Sequence, residues 1–337
     1  MLRVLYGGSP AASAKTLELI LKDSAMSSAL SREEYKIVGV LTDPPSAQGR
    51  HKELIPTEVA QYARIWNKAR NDDIRIFEPE HVKEEARNAI AEVKADVFVC
   101  FAYGHILGPK FFQLFKYGGM NLHPSLLPKY RGATPVPAAI LNMDEETGFS
   151  IQKMALGIDE GDILDEQVFR LTGSETTESL LNRAALYGGT VITSILRGIA
   201  KTGEMPTSRP QEGKATYCSI IKKEDGKINW GNSAEMIDAQ IRAYTPWPGC
   251  FTSVNGQQLR ILKAAAASKV ALQDTAVPKN TSGVPGTVLD YNKHRGILIQ
   301  TGSGVLIVTE LQWQAKKAMD YKSFMNGARN FIGTVLD

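Results

Sequence analysis

Cysteine is scarce: Cys100, Cys218 and Cys250 are the only three in 337 residues. An odd, widely scattered set supports neither a disulfide framework nor a zinc site, so a reducing cytoplasm is the expected compartment. Long apolar runs are missing as well. No stretch approaches the roughly 18 residues that a membrane span needs, and the start, Met1-Leu2-Arg3-Val4-Leu5-Tyr6, reads as a strand without a signal-peptide core. No membrane is therefore expected among the partners. His51, His81, His105, His123 and His294 show no paired ligand spacing, which disfavours a metal hydrolase and leaves no metal expected. A nucleotide-binding Gly-x-Gly-x-x-Gly turn is absent too. Gly7-Gly8-Ser9-Pro10 puts proline where that turn opens its helix, against a nicotinamide dehydrogenase.

What remains is an ordinary globular composition, 43% apolar and 22% charged, in a chain long enough for two domains. The formal charge of +3 is unevenly divided. Residues 1–209 carry 24 Lys and Arg against 26 Asp and Glu, whereas residues 210–337 carry 15 against 10. An acidic body with a basic appendage fits a catalytic unit joined to a polyanion-binding one.

The first part alternates β-rich runs with helical spacing. Leu2–Tyr6, Lys36–Leu41, Ile74–Phe77, Asp96–Phe101 and Gly119–Leu122 read as strands, and Ala11–Lys22, Thr57–Arg70 and Glu80–Lys94 as helices between them. Such alternation predicts an α/β fold, a Rossmann-like, mostly parallel sheet covered by helices. Phe149–Met154 and Ile163–Leu171 follow as strands, then a long helix over Thr176–Ile199. Residues 201–217 have linker composition, polar with two prolines and two glycines. Beyond them one helix and five short strands between glycine-containing turns predict a small β-barrel of the oligonucleotide-binding type. The expected organisation is a catalytic domain over residues 1–200, a linker over 201–217 and a β-barrel domain over 218–337.

Three polar residues stand out. Asn121 and His123 flank Leu122 at the C-terminal end of a predicted strand, where alternation puts them on one face and where open parallel sheets bind ligands. Asp159 lies in the glycine-flanked turn Gly157-Ile158-Asp159-Glu160-Gly161-Asp162. Taken singly, a strand-end histidine is more often a structural residue, and an Asp between glycines usually shapes a turn. The proline-set loop His123–Gly132 weighs against that plainer reading. It is expected to be rigid and to expose Ser125 and Arg131, a form suited to holding a flat ligand.

Asn121-Leu122-His123-Pro124-Ser125-Leu126-Leu127-Pro128, followed at a distance by Asp159-Glu160-Gly161, resembles the formyltransferase superfamily that uses 10-formyl-tetrahydrofolate. The resemblance implies that Asn121, His123 and Asp159 form the catalytic triad. It also implies that Ser125, Leu126, Leu127 and Pro128 lie in the folate site, and that the backbone of Val99–Leu107, with Phe101, Tyr103 and Gly104, receives the pterin ring. Three more stretches resemble the branch of that superfamily that acts on methionyl-tRNA. Gly49–Pro56, with Arg50 and Lys52, is similar to a basic loop set against the tRNA acceptor end. Arg242–Pro248 and Ala315–Met319, with Lys316 and Lys317, are similar to motifs of its C-terminal domain. Departures occur: Pro44-Pro45-Ser46-Ala47 replaces the usual Pro-Asp-Arg-Pro, and Lys153 and Ala155 stand where Gln and Asp are usual.

The implied partners are initiator methionyl-tRNA and 10-formyl-tetrahydrofolate, with a monomer as the expected state. Formyl transfer needs donors aimed at a developing oxyanion, a task for Asn121 and for His123 if protonated. A carboxylate nearby raises a histidine pKa, so Asp159 is expected to keep His123 charged. Two alternatives stay open: a relative with the same first domain that acts on purine precursors, which the basic second part disfavours, or on sugar amines, or that hydrolyses formyl-folate; and a non-catalytic RNA-binding module.

Overall fold

The computed structural model describes residues 1–30, 34–48, 53–269, 283–328 and 330–337. The chain divides into two compact units. One comprises residues 1–135, 146–169 and 180–219; the other comprises 136–145, 170–179 and 220–337.

The first unit is built on a seven-stranded sheet. Across it run Ile163–Arg170, Glu146–Lys153, Gly119–His123, Val97–Cys100, Leu2–Gly7, Tyr35–Leu41 and Arg75–Phe77. The last five are mutually parallel, and Glu146–Lys153 joins antiparallel to Gly119–His123. The expected strands are all present. Both faces of the central strands are buried, which explains their continuous Val, Ile and Phe content. One face packs Val4, Tyr6, Val97 and Val99 against helices Ala11–Ala29 and Thr177–Thr202. The other packs Leu5, Phe98 and Cys100 against Ile90, Phe111 and Phe115.

The strand order reverses beside Leu2–Gly7. The chain first moves outward through Tyr35–Leu41 and Arg75–Phe77, then returns to Val97–Cys100 on the other side. Such a reversal opens a crevice at the carboxyl ends of the strands. Gly8 sits there, and a Cβ at this position would collide with Ser13 Oγ and the Phe101 carbonyl. The Gly-Gly-Ser-Pro turn is thus a close backbone approach rather than a phosphate cradle. Ser9 stitches the crevice, its N–H donating to the Ala102 carbonyl at 3.2 Å and its hydroxyl accepting from Asp43 N at 3.1 Å.

The second unit holds a six-stranded antiparallel sheet, with Cys250–Val254, Gln257–Ala266, Val305–Trp313, Gly296–Gln300 and Val288–Asn292 in that order and Met319–Asp320 paired to Val305–Trp313. Helix Ala234–Ala243 begins at Ser233, whose side chain accepts from Met236 N. Helices Pro135–Leu141 and Tyr321–Gly327 are not anticipated from the sequence. In the former, Pro135 and Pro137 occupy the first turn, where N–H groups lack helical partners anyway, so prolines that read as breakers are tolerated. Among the described residues no helix is long and apolar enough to cross a membrane.

Candidate active site

Asn121 and His123 lie at the C-terminal end of strand Gly119–His123. Antiparallel pairing sets Asn121 opposite Gln152 and His123 opposite Ser150. Directly opposed residues share a face, so Gln152 joins the two polar residues, and the sequence reading missed it. The register of that pairing, which composition does not reveal, is the signal that finds it.

Asp159 arrives from the turn that follows. It adopts φ 54°, in the left-handed region, which Asp tolerates better than most residues. Gly161 is required beside it, because a Cβ there would run into the Lys153 carbonyl. The carboxylate is firmly held. Oδ1 accepts from Gln152 Nε2 at 2.7 Å and, at a long 3.5 Å, from Asn121 Nδ2; Oδ2 accepts from Gly132 N at 2.8 Å and lies 3.5 Å from His123 Nδ1. Gln152 Oε1 in turn accepts from Gly161 N at 3.2 Å. The three side chains that the sequence singles out are therefore together, from segments 38 residues apart.

His123 is buried, 3% exposed. Burial lowers its pKa below the ordinary histidine value and outweighs the raising effects of Asp159 and of the Tyr130 carbonyl. The expectation that Asp159 keeps this imidazole charged is thus corrected: desolvation disfavours the charged form. Its Nε2 lies 2.9 Å from the Tyr130 carbonyl, which can only accept, so the neutral ring carries its proton there and turns a lone pair on Nδ1 toward Asp159.

The loop after His123 differs from expectation at two places. Ser125 is fully buried rather than exposed, and its hydroxyl donates to the Lys129 carbonyl at 2.6 Å. Ser150 Oγ accepts from Leu127 N at 3.0 Å and lies 2.9 Å from the Ser125 carbonyl. The proline-set loop folds back on itself through Ser125, and Ser150 of strand Glu146–Lys153 satisfies its Leu127 N–H and Ser125 carbonyl. Leu127 and Pro128 are buried with it, and Leu126 is half-buried. Arg131 is not free either. Its side chain is 13% exposed and donates to Gln211, Glu160 and Tyr217.

Residues 209–218, within the stretch of linker composition and just beyond it, lie against this site. Arg209 exchanges backbone hydrogen bonds with Ile163, Thr216 N donates to the Pro128 carbonyl, and Tyr217–Cys218 forms a short parallel ladder with Arg131–Gly132.

Beside the crevice, Phe101 is buried and Ala102 takes a left-handed φ of 53°. Among the described residues the buried Tyr103 hydroxyl has no partner, and no atom lies near a Cβ built on Gly104. An orphaned hydroxyl and open backbone are features that a flat heteroaromatic ring with polar edges would complete. His105 Nε2 lies 2.7 Å from Asp43 Oδ1. Cys100, close by, is pushed up to about 12 by burial, which rules it out as a thiolate nucleophile near neutral pH. Among the described residues no group of three His, Cys, Asp or Glu side chains could hold a metal ion.

Arg50 and Lys52 lie outside the described residues. Lys316 and Lys317 are exposed, in the turn after Val305–Trp313 of the second unit.

Residues 15–196 match the family "Formyl transferase" and residues 220–329 match "Formyl transferase, C-terminal domain". Over 98% of its length the chain is 40% identical to methionyl-tRNA formyltransferase of Treponema denticola, covering 98% of that protein. It is 36% identical to methionyl-tRNA formyltransferase of Treponema pallidum, over 97% of each chain. Among solved structures it resembles an N-formyltransferase from Helicobacter canadensis, crystallised with folinic acid and dTDP-3-aminofucose. The TM-score is 0.60 at 20% identity, covering 91% of this chain and 99% of that one. The chain belongs to the formyl transferase family.

Proposed function

We propose that this chain transfers the formyl group of 10-formyl-tetrahydrofolate to the α-amino group of methionyl initiator tRNA, at the cluster formed by Asn121, His123 and Asp159. The single observation that carries the reading is the convergence of a carboxamide, an imidazole and a carboxylate at the carboxyl end of the central sheet, in a chain closely similar along its length to methionyl-tRNA formyltransferases. The role follows as the formylation of the amino acid with which translation starts.

In this reading the amine attacks the formyl carbon directly, and no covalent enzyme intermediate is needed. The α-amino pKa of about 7.7–8.0 leaves much of it neutral near physiological pH, so the larger task is charge on the formyl oxygen. Among the described residues Asn121 Nδ2 has only a long contact with Asp159, at 3.5 Å, and turning its N–H to that oxygen supplies an oxyanion donor. Asp159 and the neutral His123 face each other across 3.5 Å. The proton released by the amine goes to this pair and is returned to the nitrogen that leaves with the folate. While it holds the proton, the imidazole adds positive charge beside the oxyanion.

The loop Phe101–Gly104 and the segment Ser125–Pro128 form the folate side of the site. Phe101, Ser125, Leu127 and Pro128 act as its buried frame, with Tyr103, Gly104 and Leu126 nearest the ring. Arg50, Lys52, Lys316 and Lys317 meet tRNA phosphates, with the body over residues 1–200 and the basic domain over 218–337 sharing the work. We further propose that the chain acts as a monomer in the cytoplasm.

The test is to mix the full chain with 10-formyl-tetrahydrofolate labelled in the formyl group and methionyl initiator tRNA. Label is expected on the methionine of the tRNA, with little on free methionine. Transfer to a sugar amine or a purine precursor in its place overturns the substrate assignment, and no transfer to any amine overturns the reading.

A further inference from the structure

We propose that Gln211 is a positioning residue for this reaction, acting through Asp159. The inference rests on the proposed formyl transfer at that site. All four hydrogen-bonding capacities of its carboxamide are used. Nε2 donates to the Asp159 and Gly161 carbonyls, each at 2.8 Å. Oε1 accepts from Arg131 Nε at 3.1 Å and Nη2 at 2.7 Å. One side chain thereby joins two loops from distant parts of the chain, 129–132 and 159–161. Those same loops must stay in register for Asp159 Oδ2 to keep both its 2.8 Å bond from Gly132 N and its place beside His123 Nδ1.

Two features make such a brace necessary. Asp159 sits at φ 54°, a conformation that persists for a non-glycine residue only when its surroundings fix it. Gln152 fixes the carboxylate, whereas among the described residues it is Gln211 that holds the backbone carbonyls on either side of Glu160. Gln211 is itself presented from a segment pinned at both ends. Arg209 pairs with Ile163 through bonds of 2.8 and 2.9 Å, and Thr216 accepts from Arg131 N at its carbonyl and from Tyr130 N at its hydroxyl, each at 2.8 Å. A displacement of about 1 Å at a reacting group can cost on the order of a hundredfold in rate.

The experiment compares Gln211→Ala and Gln211→Glu in the full chain, each made alone and together with Asp159→Asn, by single-turnover formyl transfer to methionyl-tRNA at saturating substrates. Glu keeps the length and the acceptor for Arg131 but cannot donate to the two carbonyls. Both single variants are expected to slow transfer by between about tenfold and a hundredfold, with folate and tRNA affinity unchanged. In the Asp159→Asn background the same changes are expected to cost less than about twofold, because a residue that acts through another is not additive with it. Equal losses in both backgrounds show a merely structural brace and overturn the proposal, as does a wild-type rate for Gln211→Glu. Thermal unfolding of each variant is followed in parallel, and if Gln211→Ala fails to fold, the near-isosteric Gln211→Glu decides. A wild-type chain that forms no product at all refutes the underlying reaction instead, which keeps the two failures distinct.

Discussion

Asp159→Asn separates charge from shape at the centre of the site. The carboxylate accepts from Gln152 Nε2 at 2.7 Å on Oδ1 and from Gly132 N at 2.8 Å on Oδ2, with a longer contact of 3.5 Å from Asn121 Nδ2 to Oδ1. An asparagine amide presents its NH2 to one of those donors whichever way it flips. Gln152 cannot relieve the conflict by flipping, because its Oε1 already accepts from Gly161 N. One buried hydrogen bond is therefore lost, a stability cost of about 1–3 kcal/mol. The effect on rate is larger. Removing a group that accepts a proton in the transition state typically costs on the order of 10²–10⁴-fold, or about 2.7–5.5 kcal/mol of barrier at 1.36 kcal/mol per factor of ten. Rapid-quench single-turnover transfer at saturating substrates measures that rate, and direct titration measures folate affinity. The folate side of the site does not use this carboxylate, so the affinity is expected to hold within about threefold while the rate collapses. A variant that folds and turns over within about threefold of wild type refutes the proton-transfer role.

Other consequences can be measured on the same protein. Because the folded state lowers the His123 pKa, the unfolded chain binds more protons just below pH 6.5, and stability should fall as pH drops through that value. Urea unfolding at pH 5.5 and 7.5 is expected to show a smaller acid loss in His123→Gln than in wild type, and equal losses would be contrary to the assigned burial effect. Gln152→Leu strips the donor from Asp159 Oδ1, with an expected stability loss of about 1.5–3 kcal/mol in denaturant titration and a slower transfer rate. Replacing Lys316 or Lys317 by Ala is expected to reduce the slope of log affinity for tRNA against log salt by about 1 each, leaving formyl-folate affinity unchanged. An unaltered slope removes them from the phosphate contacts.

How much of this was legible in the sequence differs between parts of the site. The parallel sheet was, because its strands are buried on both faces and announce themselves as apolar runs between amphipathic segments. Asn121 and His123 could be placed on one face because strand alternation is local. The meeting with Asp159 depends on an antiparallel strand and a left-handed turn, and only the family resemblance anticipated it. Gln152 and Gln211 were invisible for different reasons. Gln152 reaches the site through a cross-strand register that a single strand does not encode, and Gln211 lies in a stretch whose prolines and glycines read as linker. A proline-set loop that points outward puts Ser125 and Arg131 at the surface, but this one does not point outward. It turns back on itself: the Ser125 hydroxyl donates to the Lys129 carbonyl inside the loop, whereas the Arg131 guanidinium is covered by Gln211, Glu160 and Tyr217 from other segments. The charge of His123 is not legible for an energetic reason: spacing shows a neighbouring carboxylate but not the desolvation that outweighs it.

The central claim is that Asn121 donates to the formyl oxygen as charge develops there. Single-turnover transfer by Asn121→Ala, at saturating formyl-folate and methionyl-tRNA, addresses it most directly. The expected result is a rate reduced by about 10²–10³-fold, the loss typical of one oxyanion donor, with both substrates still bound as in wild type. A rate within about threefold of wild type, with binding intact, would contradict it.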